Sequence, residues 1–162
     1  MWSLRPSAAA DAGWIAELRA VVLLDDLQRL GRYDAARVRQ RFIDAFVPAR
    51  TRVIVVDGTD AGSISMRPDG DSVWLEHFYL RPELQGRGIG AAILAAVLAE
   101  NAGQCVRLNV LAGSPARRLY ERHGFVVDAE DPIDVFMSAV VPVSVGGNTR
   151  GTDAAASVPL DS

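Results

Sequence analysis

Trp74-Leu75-Glu76-His77-Phe78-Tyr79-Leu80-Arg81-Pro82-Glu83-Leu84-Gln85-Gly86-Arg87-Gly88-Ile89-Gly90-Ala91 decides how the rest of the chain is read. Aromatic and branched residues from Val73 to Leu80 predict a strand. Pro82 ends it, because proline has no backbone donor. From Gly88 onward Ile89, Ala92, Ile93, Ala96 and Val97 recur at helical spacing, so a helix runs from Gly88 to Ala102. Gly86, Gly88 and Gly90 leave no side chains in the way at the mouth of that helix. Its first amides have no partner within the helix, and the helix dipole adds partial positive charge. Such a mouth is built for an anion, phosphate above all. Arg87 is placed to add a charge-assisted contact.

The same residues fit the dinucleotide pattern G-x-G-x-x-A at Gly86-Arg87-Gly88-Ile89-Gly90-Ala91. Two features oppose that reading. Arg81 to Gln85 separate the glycines from the strand, and the next strand, Arg107-Leu108-Asn109-Val110, offers no carboxylate for a ribose. Gln85-Gly86-Arg87-Gly88-Ile89-Gly90 instead resembles the Q/R-x-x-G-x-G/A signature of the GNAT N-acetyltransferases, and the resemblance extends over roughly Leu4 to Met137. It implies that the backbone from Gln85 to Ala91 holds the pyrophosphate of acetyl-CoA. It also implies that the strand at Phe78-Tyr79-Leu80 is splayed by a bulge, so that its free backbone groups pair with the pantetheine arm and the acetyl carbonyl.

Length and composition bound the answer. At 162 residues, with 49% hydrophobic and 23% charged residues, a single globular domain is expected. A formal net charge of −3 gives no nucleic-acid footprint. The lone Cys105 excludes an internal disulfide, reads as a buried structural thiol and fits a cytoplasmic location. No signal peptide is expected, and the most apolar run, Ile89 to Ala99, is too short to span a bilayer.

In chain order, Met1 to Arg5 predicts an edge strand and Asp11 the N-cap of a first helix carrying Trp14, Ile15, Leu18, Val21 and Val22. Leu27 to Tyr33 reads as a connector. Asp34 caps a second helix with Val38, Phe42, Ile43 and Phe46 as its buried stripe. Arg52 to Val56 and Ala61 to Met66 read as strands, with turns at 57–60 and 68–71. Cys105 to Leu111 is the next strand. Ser114 and Pro115 open a short helix that Gly124 closes. Phe125 to Val127 and Val135 to Val141 are two closing strands. Residues 1–143 form the expected acetyltransferase domain, and the small, polar composition of 144–162 predicts a flexible tail.

An amine attacking a thioester needs a base, donors for the oxyanion and a proton for the departing thiolate. Asn109, then Ala116-Arg117-Arg118-Leu119-Tyr120-Glu121-Arg122-His123-Gly124-Phe125, is similar to the family's second motif. The resemblance makes Tyr120 the general acid beside the coenzyme sulfur. A phenol with pKa about 10 can protonate a thiolate whose thiol titrates near about 8.5. Asn109 is expected to contact the pantetheine or order the following loop, and Arg117 to touch the coenzyme's phosphates.

Glu76 is the leading base, on the face shared by Phe78 and Leu80 if alternation holds. His77 is the alternative, since a bulge would reverse that parity. Asp25, Asp26, Tyr33 and Asp44 are candidates for holding a cationic amine. No metal site is expected from two histidines and one cysteine, and with no nucleophile elbow or triad, direct attack is expected.

The fold class is thus α/β, a GNAT-like mixed, mostly antiparallel sheet of six or seven strands with about four helices. Acetyl-CoA enters between the strands ending at Leu80 and Val110. The acceptor is a small amine, with no nucleic-acid or membrane partner and a homodimer as a family-level expectation. A non-catalytic acyl-CoA-binding module and a nucleotide-binding oxidoreductase domain are the rival readings.

Overall fold

In the computed structural model, which describes residues 1–143, the branched and aromatic runs pair into one seven-stranded sheet. The strands are β1 (Trp2–Pro6), β2 (Thr51–Val56), β3 (Thr59–Asp69), β4 (Ser72–Leu80), β5 (Cys105–Leu111), β6 (Val126–Glu130) and β7 (Asp134–Val140). Their order is β1-β2-β3-β4-β5-β7-β6. Among the described residues only β4 and β5 run parallel. A parallel pair needs a crossover, and the glycine-led helix supplies it. The helices are α1 (Ala12–Val22), α2 (Leu24–Arg29), α3 (Ala35–Ala45), α4 (Ile89–Ala99) and α5 (Ala116–Arg122). The mixed, mostly antiparallel sheet matches the expected fold class, with five helices rather than about four. None of them is long and apolar enough to cross a membrane. The expected tail at 144–162 lies outside the described residues.

Both faces of the sheet are covered, and β2 shows why in two adjacent residues. Ile54 packs with Ile64, Leu75, Ile93, Leu94, Val97, Val106 and Leu108, which is the α4 side. Val53 packs with Ile15, Leu18, Phe42 and Tyr79, which is the α1 and α3 side. Successive strand residues point to opposite faces, so a strand buried on both sides reads as a continuous apolar run.

Turn and cap chemistry set the connections. Asp57 and Gly58 both take positive φ, 50° and 81°, as a two-residue hairpin between β2 and β3 requires. The Asp34 carboxylate caps α3 by accepting from Ala36 and Arg37 amides at 3.1 and 3.0 Å.

Three expectations are corrected. Asp11 stands at the N-cap position of α1, but its side chain makes no capping bond there. Its carboxylate accepts from Arg5 at 2.9 and 3.2 Å, from Trp14 Nε1 at 2.8 Å and from the Ala8 amide at 2.9 Å. The expected connector at Leu27 is helical, because α2 places Asp25 and Asp26 in its first turn and pairs Asp26 with Arg29 at 2.7 Å. It stops at Gly31, where Gly31 and Arg32 amides donate back to Gln28 and Leu27 carbonyls at 3.1 and 2.8 Å. Finally, β3 runs through Pro68, where a turn was expected. Pairing with β2 has ended at Ser65, so the missing proline donor faces no strand.

Asp11 gives a test of this frame. The Arg5 hydrogen bonds hold its carboxyl down at about 2. A carboxyl depressed in the folded state stabilises above its unfolded pKa of about 3.9, and that stability is lost as pH falls toward the folded value. Asp11→Ala should cost roughly 2 kcal/mol by chemical denaturation at neutral pH. The variant should also lose less further stability than the wild type between about pH 5 and pH 2.

Candidate active site

The site begins where two strands part. β4 and β5 pair only at Ser72–Cys105, Val73–Val106 and Trp74–Arg107. Beyond Trp74 they diverge, although β4 continues to Leu80 and β5 to Leu111. β4 also carries an extra residue against β3: Ser65 faces Glu76 and Ser63 faces Tyr79. That bulge sits at His77, whose φ of 49° is unusual for a residue with a side chain. Ser63 Oγ donates to the His77 carbonyl at 2.7 Å and helps fix it. Gly62 is required beside it, since a Cβ there would lie 2.0 Å from the Tyr79 carbonyl oxygen.

An opening of about 1490 Å³ fills the gap between the strands and reaches both faces of the sheet. On the α4 side it is lined by Gln85, Gly86, Gly88, Gly90 and Ala91. Gly86 and Gly88 have φ of 78° and 82°, and a Cβ on either would meet nothing within 4 Å. The first bond of the helix is from the Ala92 amide to the Gly88 carbonyl at 3.0 Å. Among the described residues, the amides from Gly86 to Ala91 find no protein acceptor. A row of open donors at a helix mouth has the shape and chemistry to fit a diphosphate.

Not every expected contact is present. Gln85 lines the opening, and its Nε2 donates to the Leu80 carbonyl at 2.9 Å, tying the loop to the strand end. The Ile89 side chain packs into the core, leaving only its amide at the mouth. Arg87 is exposed and does not line the opening. Arg117 is also outside it and pairs one turn on with Glu121 at 3.1 Å. Both arginines follow local solvent-facing geometry, which their positions in the motif do not reveal. Asn109 lines the wall and donates to Asp134 Oδ1 at 3.0 Å.

The bulge corrects the assignment of faces. Phe78 and Leu80 turn to the α4 side, as does Leu75. Glu76 follows Leu75 and so points the other way, with His77 and Tyr79. Glu76 lines the opening, and Arg67 grips it through two bonds at 2.9 and 3.1 Å. His77 stacks edge-on to Phe42 at 4.9 Å between centroids, and its Nδ1 lies 3.2 Å from the Tyr79 hydroxyl. Burial lowers the His77 pKa and raises that of Tyr79.

Tyr120 meets the opening from α5. It is 6% exposed, and Phe125 lies against its ring at 5.7 Å. Burial pushes its phenol pKa up, so it stays protonated at neutral pH. Among the described residues nothing hydrogen-bonds its hydroxyl, which leaves that proton available to a group in the opening.

The wall formed by α1, α2 and α3 holds what the sequence reading missed. Of Asp25, Asp26, Tyr33 and Asp44, only Asp26 lines the opening, and Arg29 already occupies it. Arg19 reaches the Tyr79 hydroxyl with Nε at 2.9 Å and also donates to the Val38 carbonyl. Its signal was present: it follows Ile15 by four residues and so falls on the buried stripe of α1. Arg37 and Arg41 line the same wall from α3.

The sequence model of a family described as acetyltransferase (GNAT) domain matches residues 48–127. No curated protein matches the sequence. Among solved structures, the PaiA N-acetyltransferase of Thermoplasma acidophilum, in complex with coenzyme A, is 19% identical. It aligns with a TM-score of 0.68 over 86% of this chain and 99% of its own. An N-acetyltransferase of Staphylococcus aureus Mu50 is 18% identical with TM-score 0.65, covering 85% of this chain and 100% of its own. Ard1 of Thermoplasma volcanium is 20% identical with TM-score 0.65, over 86% and 97%. These likenesses are of fold.

Gly62 and Gly90 separate a needed glycine from a spared one. Gly62→Ala must push backbone aside at the bulge and should cost about 1–3 kcal/mol, lowering the thermal midpoint. Gly90→Ala places its Cβ in open space and should melt within about 2 °C of the wild type.

Proposed function

This chain belongs to the acetyltransferase (GNAT) family, and from that premise we propose that it transfers the acetyl group of acetyl-CoA to the amino group of a small acceptor. One juxtaposition carries the reading. The open amides from Gly86 to Ala91 and the unpartnered, buried hydroxyl of Tyr120 face a single opening at the point where β4 leaves β5. Acetyl-CoA supplies the activated thioester. The amides and the helix dipole of α4 hold its diphosphate. The edge of β4 from Phe78 to Leu80 that β5 leaves without a strand partner aligns the arm that follows, and Asn109 lines the other strand.

In the transfer a C–N bond forms and a C–S bond breaks. The amine loses a proton and the sulfur gains one. Tyr120 gives the sulfur its proton, because its phenol is buried and protonated while lacking any competing partner. The amine's proton leaves on the other face, where Glu76 and His77 stand. Tyr79 takes up His77 Nδ1. Glu76 is therefore the better acceptor, through a water, with Arg67 fixing its carboxylate. The acceptor enters past α1 and α3, from the side opposite the diphosphate.

The test is thiol release from acetyl-CoA by the full chain across a panel of amines. Amine-dependent release supports the reading. Coenzyme binding with no release from any amine would instead make the chain a binding module. Tyr120→Phe should lower kcat about 100-fold while coenzyme A affinity stays within about twofold. An unchanged kcat, with chemistry limiting the rate, removes Tyr120 from the acid role.

A further inference from the structure

We propose that the acceptor carries a carboxylate as well as its amine, and that Arg37 and Arg41 on α3 receive that carboxylate; the proposal names the substrate class of the acetyl-transfer site and rests on that reading. Each carboxylate that lines the opening already accepts hydrogen bonds, two of these carboxylates from a cation. Asp26 pairs with Arg29 at 2.7 Å and Glu76 with Arg67 at 2.9 Å. Asp34 accepts two α3 amides. Asp131 accepts from the Ile133 and Asp134 amides at 2.8 and 2.7 Å, and Asp134 accepts from Asn109.

Only Asp26 and Glu76 are paired with a cation among the described residues; Asp34, Asp131 and Asp134 keep their charge, and of these only Asp34 stands at α3. The cations on the acceptor wall outnumber it. Among the described residues, Arg19, Arg32, Arg37 and Arg41 line the opening and none has a carboxylate within ion-pair distance. Arg122 adds another from the α5 wall. In a chain of formal net charge −3, the entrance for the acceptor is thus locally positive. A positive cleft concentrates anions and repels polyamines and other cationic amines.

These arginines are not placed for the coenzyme's diphosphate. α1 and α3 cover one face of the sheet, and the glycine loop and α4 cover the other. The two clusters meet only through the gap between β4 and β5. Position along the wall then fixes the acceptor's shape. Tyr79 bridges His77 and Arg19, and Arg19 reaches the Val38 carbonyl. Arg37 and Arg41 stand on either side of Val38, four residues apart and so on one helix face. The chain of contacts runs from the bulge, where the amine must attack, to the arginines on the same wall. A carboxylate attached to the amine's own carbon skeleton meets them there. Guanidinium groups bind carboxylates through paired hydrogen bonds, which also fixes orientation.

The test uses matched pairs of amines that differ only in carboxylate against carboxamide: free amino acids and their amides, with spermidine as a cationic control. Thiol release by the full chain is measured on each. The expected result is kcat/KM at least about tenfold higher for the carboxylate member, chiefly through KM, with the preference shrinking as salt is raised. R37Q/R41Q should bring the ratio toward one, and R37K/R41K should restore part of it. Thermal unfolding of both variants reports whether they are folded. Equal turnover of both members, a preference for the amide or for spermidine, or a ratio indifferent to R37Q/R41Q in folded protein overturns the assignment and leaves acetyl transfer standing. Absence of release from every amine overturns acetyl transfer itself, and this assignment with it.

Discussion

The separation of β4 from β5 after Trp74 is the constraint on which the rest of the molecule depends. A strand inside a sheet has its amides and carbonyls satisfied by neighbours, and an interior strand that loses one neighbour exposes a row of them. Here the exposed row is not covered by another strand. It faces an opening whose far side is the unpaired mouth of α4 and whose floor includes Tyr120. The bulge at His77 enlarges the effect by turning Glu76, His77 and Tyr79 together toward α1 and α3. Gly62 and Ser63 on β3 hold that bulge, one by its lack of a side chain and the other by a hydrogen bond. The site is therefore a property of the sheet, with the helices closing it from two sides.

Much of the fold was legible in the sequence, because local rules and tertiary packing agree there. The branched run Val53 to Val56 is a strand buried on both faces, Asp34 is a cap, and the glycines before α4 mark its mouth. The family resemblance added the roles proposed for Tyr120 and for the backbone from Gln85 to Ala91, which spacing alone does not reveal.

What was not legible has physical causes. Strand parity past Leu75 depends on one inserted residue; the resemblance implied a bulge in this strand, but nothing in Glu76-His77-Phe78 places it at His77. Glu76 was consequently placed on the wrong face, and its partner Arg67 lies on a neighbouring strand that sequence distance conceals. Arg87 and Arg117 looked like phosphate ligands by position in a motif, but side-chain direction is decided by the loop and helix around them. α2 was missed because a six-residue helix carries too few periodic positions, and its stability comes from the Asp26–Arg29 pair and the stop at Gly31. Of the acidic residues expected to hold a cation, Asp25 and Asp44 stand outside the opening and Asp26 is paired with Arg29, which leaves an acceptor wall dominated by arginine.

The central claim is that open amides at the mouth of α4 grip a diphosphate and so direct a thioester along the splayed β4. Backbone amide resonances recorded by NMR during a coenzyme A titration test it most directly. The account predicts saturable shifts concentrated at Gly86, Gly88, Gly90 and Ala91, followed by those of Phe78 to Leu80. Saturable binding that leaves these amides unmoved, or no binding at all, would contradict it.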